Sequence, residues 1–210
     1  MKFVLFVEGY TEKEALSDFL KRWLDSRLPN PVGIKVVRFN GWAELIKDTP
    51  TKAGMFLTKE DSDVVAVVAL LDLYGPQIYP ANKKTADDRY MWAKQHLEQK
   101  AGHKKFRQFF GVHETEAWLL SDPSIFPAAV ARAFPKSVAS PEKVDFNLPP
   151  AKLLEKHYKE KTGRGYKKVV HGKKLFDKLD PEKVYAKCPR FKELMDEMLR
   201  LAQETERTRH

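Results

Sequence analysis

Residues 64–71 are eight consecutive apolar side chains closed by Asp72, and no other segment constrains the fold as tightly. The run is too short to cross a bilayer as a helix, which needs about 20 apolar residues. It is apolar on both faces, the pattern of a parallel strand covered by helices on each side. Residues 3–7 follow the same grammar and run into Glu8. An acid has no structural reason to close a buried strand. In an open α/β sheet, however, ligands bind in the crevice beyond the carboxyl ends of the strands. Two such strands side by side would aim Glu8 and Asp72 at one spot.

The intervening sequence supplies the crossovers such a sheet requires. Thr11, with Glu14 three positions on, reads as a capping box, and Ala15, Leu16, Phe19, Leu20, Trp23 and Leu24 then share one helical face. Pro29 and Pro31 end that helix. Residues 34–39 read as a further strand, and Lys35 and Arg38 put it near the sheet edge. Residues 42–60 carry a helical pattern broken at Pro50 and Gly54, and Gly75, Pro76 and Pro80 mark a loop. A helix over 84–101, a strand over 106–112 and a helical segment stopping at Pro123 complete the alternation. The expected fold class is α/β: a mainly parallel four-stranded sheet flanked by helices, spanning residues 1–122. From residue 123 the composition shifts. Pro127, Pro135, Pro141, Pro149 and Pro150 punctuate short helices of a basic extension over 123–210. Its last helix is expected over 190–203, with a frayed tail over 204–210 that lacks an apolar face.

At 210 residues the chain suffices for one such domain and a small helical appendage. Lys plus Arg outnumber Asp plus Glu by 38 to 29, a net charge of +9 that suits a polyanionic partner and equally suits solubility. The single cysteine, Cys188, excludes an internal disulfide framework and a multi-cysteine zinc site, and reads as a small apolar filler before Pro189. The apolar opening holds five residues before Glu8, too few for a signal peptide. A soluble, cytoplasmic protein with no membrane segment is expected.

Acids recur where elements end: Glu8 with Glu12, then Asp72, then Glu114 with Glu116. Glu12 has a second explanation, because a helix N-terminus stabilises negative charge. Carboxylates gathered at one rim repel each other unless something positive sits between them. A hard divalent cation is the natural candidate, since Mg²⁺ takes oxygen ligands and keeps several waters, so a few carboxylates suffice. His113, beside Glu114, is either a packing residue or a group that positions water or phosphate.

These residues carry a family resemblance. Phe6-Val7-Glu8-Gly9-Tyr10-Thr11-Glu12 resembles the strand-and-turn signature of the Toprim domain (a Rossmann-like fold), in the form found in OLD-family nucleases. Leu70-Leu71-Asp72-Leu73-Tyr74-Gly75 and His113-Glu114-Thr115-Glu116-Ala117-Trp118-Leu119-Leu120 resemble successive blocks of a set of small bacterial proteins, the DUF4276 group, RloB-like in general plan. The resemblance implies Mg²⁺ or Mn²⁺ as cofactor and Glu8 as the general acid/base or metal-binding glutamate. It further implies Glu12 and Asp72 as metal ligands, with Glu114 or Glu116 completing a metal site. The chain departs from the common Asp-x-Asp pair by placing Tyr74 at the second position. A second metal would then need other ligands, such as Glu114 and Glu116; a single metal, or loss of catalysis, are the alternatives.

Residues 158–174 concentrate Lys159, Lys161, Arg164, Lys167, Lys168, His171, Lys173 and Lys174 among glycines, with Tyr158 and Tyr166 interleaved. Such a stretch suits a phosphate backbone, although charge runs are also ordinary solvated surface. Arg164, Lys167, Lys168, Lys173 and Lys174 are the candidate nucleic-acid contacts. OLD-like nucleases use a lysine beyond the acidic motifs to stabilise the transition state. The resemblance assigns that role to Lys168 first, then Lys167 or Lys173. The expected function is metal-dependent hydrolysis of phosphodiester bonds in DNA or RNA, with Glu8, Lys168 and His113 as catalytic candidates. The resemblance also implies bacterial anti-phage defence beside a separately encoded ATPase, because this chain has no Gly-rich phosphate loop ending in Lys-Ser/Thr. The alternatives are a non-catalytic nucleic-acid-binding subunit of such a complex and a small-molecule phosphatase or phosphotransferase.

Overall fold

A computed structural model describes residues 1–58, 63–134, 138–143 and 148–208. Pro135, the end of the helical pattern expected over 42–60, and the last two residues of the tail lie outside the described residues. Four strands, β1 (Lys2–Val7), β2 (Gly33–Arg38), β3 (Val64–Asp72) and β4 (Phe106–Gly111), form one sheet in the order β2-β1-β3-β4. Every neighbouring pair is parallel, so all four carboxyl ends share one rim.

The two apolar runs are buried on both faces because alternate residues enter different cores. Phe3, Leu5 and Val7 pack on one side with Val68, Leu70 and Phe109; Val4 and Phe6 pack on the other with Val67, Ala69, Leu71 and Phe110. The second side is covered by α2 (Trp42–Leu57) and α3 (Ala86–Ala101), the first by α1 (Tyr10–Asp25) and by helices of the C-terminal part. Those later helices are α4 (Glu116–Leu119), α5 (Ala128–Ala131), α6 (Pro150–Thr162), α7 (Lys168–Lys178), α8 (Pro181–Lys187) and α9 (Pro189–Arg207). Trp118 of α4 lies against Phe19 of α1, Phe176 of α7 and Phe191 of α9, so one core continues from the sheet into the C-terminal helices. Cys188 fills a fully buried position in that core.

Four local expectations are corrected. Thr11 does not cap α1: the helix starts at Tyr10 with Gly9 before it, and Thr11 is buried inside the first turn. Pro50 does not break α2. The helix continues through it, the Thr49 hydroxyl donates to the Leu45 carbonyl at 2.7 Å, and the Pro50 carbonyl lies 3.3 Å from His103 Nε2. The last helix runs past residue 203 to Arg207. Tyr158 and Tyr166 are not exposed among the lysines but buried, at 5% and 8%, with their rings packed on each other and on His171. Among the described residues no helix is long and apolar enough to cross a membrane.

Candidate functional site

β1 and β3 stay buried up to the common rim, and there the chain places its acids. Glu8 follows the last residue of β1, and its Oε1 accepts the Asp72 amide at 2.9 Å, joining the two strand ends directly. Glu12 lies in the first turn of α1 and folds back over Gly9, where an added Cβ would come 2.4 Å from Glu12 Oε2. Any larger residue at position 9 would push that carboxylate out of its present place. Beyond β4, His113 takes a left-handed backbone (φ 65) and its carbonyl accepts the Tyr74 amide at 2.9 Å. That strained turn brings Thr115 against the rim. The Thr115 amide donates to Asp72 Oδ1 at 2.9 Å and its hydroxyl to Glu12 Oε1 at 3.2 Å. Glu116, fully buried, completes the group from α4.

Lys168, the first residue of α7, reaches into this cluster. Its Nζ lies 3.1 Å from Glu116 Oε2, 3.4 Å from Glu12 Oε1 and 3.5 Å from Asp72 Oδ2. One ammonium therefore faces three carboxylates, with a fourth, Glu8, hydrogen-bonded beside them. Burial raises the pKa of Glu8, partly offset by the Asp72 amide, with Glu12 adding to the rise. Burial also lifts Asp72 well above the ordinary carboxylate range, against Lys168 and reinforced by Glu8, Glu12 and Glu116. Glu116 is pushed up to about 7 by burial, with Lys168 opposing and Glu12 and Glu114 adding. For Lys168, burial works against the charged form, but Asp72, Glu116 and Glu12 outweigh it and hold the pKa above its usual value.

The site is thus short of positive charge, and two buried carboxylate oxygens, Glu12 Oε2 and Glu116 Oε1, have no hydrogen-bond partner among the described residues, while a third, Glu116 Oε2, meets Lys168 alone. An all-oxygen donor set with spare lone pairs fits a hard divalent cation in kind. Among the described residues no group of three or more such side chains is arranged to hold a metal ion. The positive group expected between the acids is, in this structure, the Lys168 ammonium.

The sequence matches the family described as "Domain of unknown function (DUF4276)" over residues 7–199. The chain belongs to the DUF4276 family. Among curated proteins none matches it. Solved structures with a similar course include the C-terminal region of the Burkholderia pseudomallei OLD protein, at 17% identity and a TM-score of 0.45, covering 94% of this chain and 98% of that one. The C-terminal region of the Xanthomonas campestris pv. campestris OLD protein, phased with platinum, is 15% identical with a TM-score of 0.41, covering 98% of this chain and 96% of that one.

In this DUF4276 member the structure brings together Glu8, Glu12, Asp72, Glu116 and Lys168. It does not bring in Glu114, which is turned to the start of α6, where its Oε2 accepts the Ala151 amide at 2.9 Å. His113 lines a different cavity, of about 750 Å³, together with Glu142 and Arg190. Of the remaining basic candidates, Arg164, Lys167 and Lys174 are exposed, while Lys173 is paired with Asp177 at 3.2 Å. Two residues that hold the site were not expected from sequence: Thr115, hidden inside a block read for its acids, and Gly172. An added Cβ at Gly172 would lie 2.5 Å from Thr11 Cγ2, so glycine there sets how closely α7 approaches α1. Gly172 lies one turn after Lys168, and Thr11 precedes Glu12, so this approach also sets the reach of the lysine.

Gly172→Ala is therefore expected to destabilise the protein despite the better helix propensity of alanine. Overpacking costs about 1–3 kcal/mol, against a propensity gain of about 1 kcal/mol. Thr11→Ala should relieve the clash, so the double variant should be more stable than Gly172→Ala alone in urea titrations. A Gly172→Ala chain as stable as wild type would show that the helices do not meet tightly here.

The raised carboxylates give a pH dependence whose sign follows from linkage. Between the ordinary glutamate value of 4.5 and about 7, folded Glu116 retains a proton that the unfolded chain releases. Stability should therefore fall as pH rises through that window, by up to about 3 kcal/mol from this group. Glu116→Gln removes the effect, so wild type should lose stability relative to the variant between pH 4.5 and pH 8. A wild-type-minus-variant difference that is flat with pH in urea titrations would contradict the buried, proton-retaining carboxyl.

Proposed function

We propose that this chain is a divalent-cation-dependent nuclease that hydrolyses phosphodiester bonds in DNA or RNA. The observation that carries the reading is the convergence of Glu12, Asp72 and Glu116 on Lys168, with Glu8 hydrogen-bonded to the Asp72 amide beside them, at the carboxyl rim of a parallel sheet. Nothing in packing calls for that many buried acids in one place, and strongly perturbed acids in a cleft mark functional sites. The Toprim-like motifs at Glu8 and Asp72 support the same chemistry.

A bound Mg²⁺ or Mn²⁺ would orient the scissile phosphate, activate a water and neutralise charge on the phosphoryl oxygens. Glu12, Asp72 and Glu116 are the residues that would hold it, using oxygens that Lys168 leaves unpartnered as well as those it now contacts. Glu8, whose carboxyl burial holds above its ordinary pKa, is the residue that would give or take the proton in this reading. Lys168 supplies positive charge where negative charge develops in the transition state. Arg164, Lys167 and Lys174 are placed by this reading along the backbone of the nucleic acid. The role in defence and the separately encoded ATPase belong to the same proposal and rest on the motif resemblance; the cytoplasmic setting rests on the single cysteine and the short apolar opening.

Two observations favour a second reading. Lys168 already occupies the space between three of the acids, and Tyr74 stands where the motif resemblance expects an acid, as in a nucleic-acid-binding subunit without turnover. The deciding assay incubates purified protein with plasmid, single-stranded DNA and tRNA in Mg²⁺ or Mn²⁺, alongside Glu8→Ala. Cleavage by wild type and not by the variant supports the nuclease; retention of nucleic acid with no cleavage in either metal supports the second reading and overturns the first.

A further inference from the structure

The aromatics expected to contact nucleic acid, Tyr158 and Tyr166, are buried, yet two other tyrosines are not. Tyr10 is 53% exposed and Tyr74 is 43% exposed, and both line the same cleft of about 380 Å³ whose floor carries Glu8, Glu12, Asp72 and Lys168. Trp42 lines it as well. Rings left about half exposed forgo much of the burial that normally holds aromatics in place, and their position beside the acids suits a ligand with a flat apolar face.

The Tyr10 ring is held by a cation and the Tyr74 ring is carried on a fixed backbone. The Arg38 guanidinium sits 4.1 Å from the Tyr10 ring centre and is itself anchored by Asn40 Oδ1 at 3.0 Å. The backbone at Tyr74 is fixed by its amide, which donates to the His113 carbonyl at 2.9 Å. Tyr74 also explains itself in these terms: the position that would carry a second acid carries a ring instead. The cleft is at the small end of ligand sites, of a size for one nucleotide and not for a duplex.

We infer that Tyr10 and Tyr74 form a stacking platform for a base next to the scissile phosphate, so that the site takes single-stranded or locally unpaired nucleic acid. The inference rests on the nuclease reading and narrows its substrate. Bases inside a duplex are already stacked and present no face to these rings, whereas a single strand offers one at every nucleotide. Stacking of this kind is tolerant of sequence, so no base preference accompanies it.

The test is binding of a single-stranded oligonucleotide carrying 2-aminopurine, read by fluorescence quenching and by anisotropy, against the matching duplex. The proteins are wild type, Tyr10→Ala, Tyr74→Ala and the two Tyr→Phe variants, all in Mg²⁺. Each alanine variant should weaken single-strand binding about tenfold or more and reduce the quenching, with duplex binding unchanged and the Phe variants close to wild type. Both rings are exposed, and matching thermal unfolding checks that the variants fold. Alanine variants that bind the single strand like wild type overturn the platform and leave the nuclease reading standing if the same samples still cleave; a surface kept for a protein partner gives this result. Equal losses for single strand and duplex also overturn it. A wild-type protein that binds neither oligonucleotide overturns the platform and the reading together.

Discussion

Asp72→Asn is expected to lower nucleic-acid cleavage about a thousand-fold, a loss of about 4 kcal/mol in transition-state stabilisation, while unfolding in urea at pH 8 shifts little or toward greater stability. The asparagine keeps the shape and retains an oxygen for the Thr115 amide, which now donates to Asp72 Oδ1. What disappears is a buried charge that sits among Glu8, Glu12 and Glu116 and is lifted well above its ordinary pKa by that setting. Removing one of several mutually repelling acids relieves strain in the folded state, and Lys168 keeps Glu116 and Glu12 as partners. A residue kept for stability would behave the opposite way. The combination of lost turnover and an unharmed fold therefore separates a working carboxylate from a structural one. Initial rates on single-stranded substrate together with urea midpoints read both; cleavage that survives in Asp72→Asn would remove this cluster from the chemistry.

Two of the acids, Glu8 and Asp72, were legible in the sequence because each is an anomaly of hydropathy. A carboxylate at the end of a strand buried on both faces has to be accounted for by something other than packing, and Glu8 and Asp72 announce themselves that way without knowledge of the fold. Their meeting was also legible, since four strands alternating with helices make a parallel sheet whose carboxyl ends share a rim. The partner of the acids was less so. Lys168 is one of several lysines in a basic stretch, and its inward direction comes from the close approach of α7 to α1 at Gly172 and Thr11, a tertiary contact with no periodic signature. The same contact explains why Thr11 is not the helix cap its residue type advertises. Tyr158 and Tyr166 misled for a related reason: charge around them is high, but they face the core from α6 and from the segment before α7. Glu114 and His113 flank the turn that delivers Thr115. Which of the adjacent side chains in that block enter the site depends on the left-handed backbone at His113, and local sequence does not encode that conformation for a histidine.

Lys168→Met should be costly in a way that depends on pH and on divalent ions. The ammonium is the one positive group contacting Glu12, Asp72 and Glu116 among the described residues. Leaving buried acids without it destabilises a protein by about 3–5 kcal/mol when both partners are fully enclosed. The Lys168 side chain keeps 36% of its surface exposed, so solvent softens the penalty and about 2 kcal/mol is the expected loss at pH 8. Without the lysine the carboxyl pKa values rise further, since its attraction is the influence that lowers Asp72 and Glu116. Groups with raised folded-state pKa values contribute stability at low pH and lose it as pH rises. The deficit of Lys168→Met should therefore shrink at pH 5, where the acids take up protons, and reappear at pH 8. Mg²⁺ at pH 8 should recover part of it, because a cation that binds the folded acids and not the unfolded chain stabilises by mass action. Recovery by Mg²⁺ in Lys168→Met exceeding that in wild type would show that lysine and cation serve the same oxygens. A deficit that is equal at both pH values and indifferent to Mg²⁺ would mean that Lys168 matters to this fold through its packing alone.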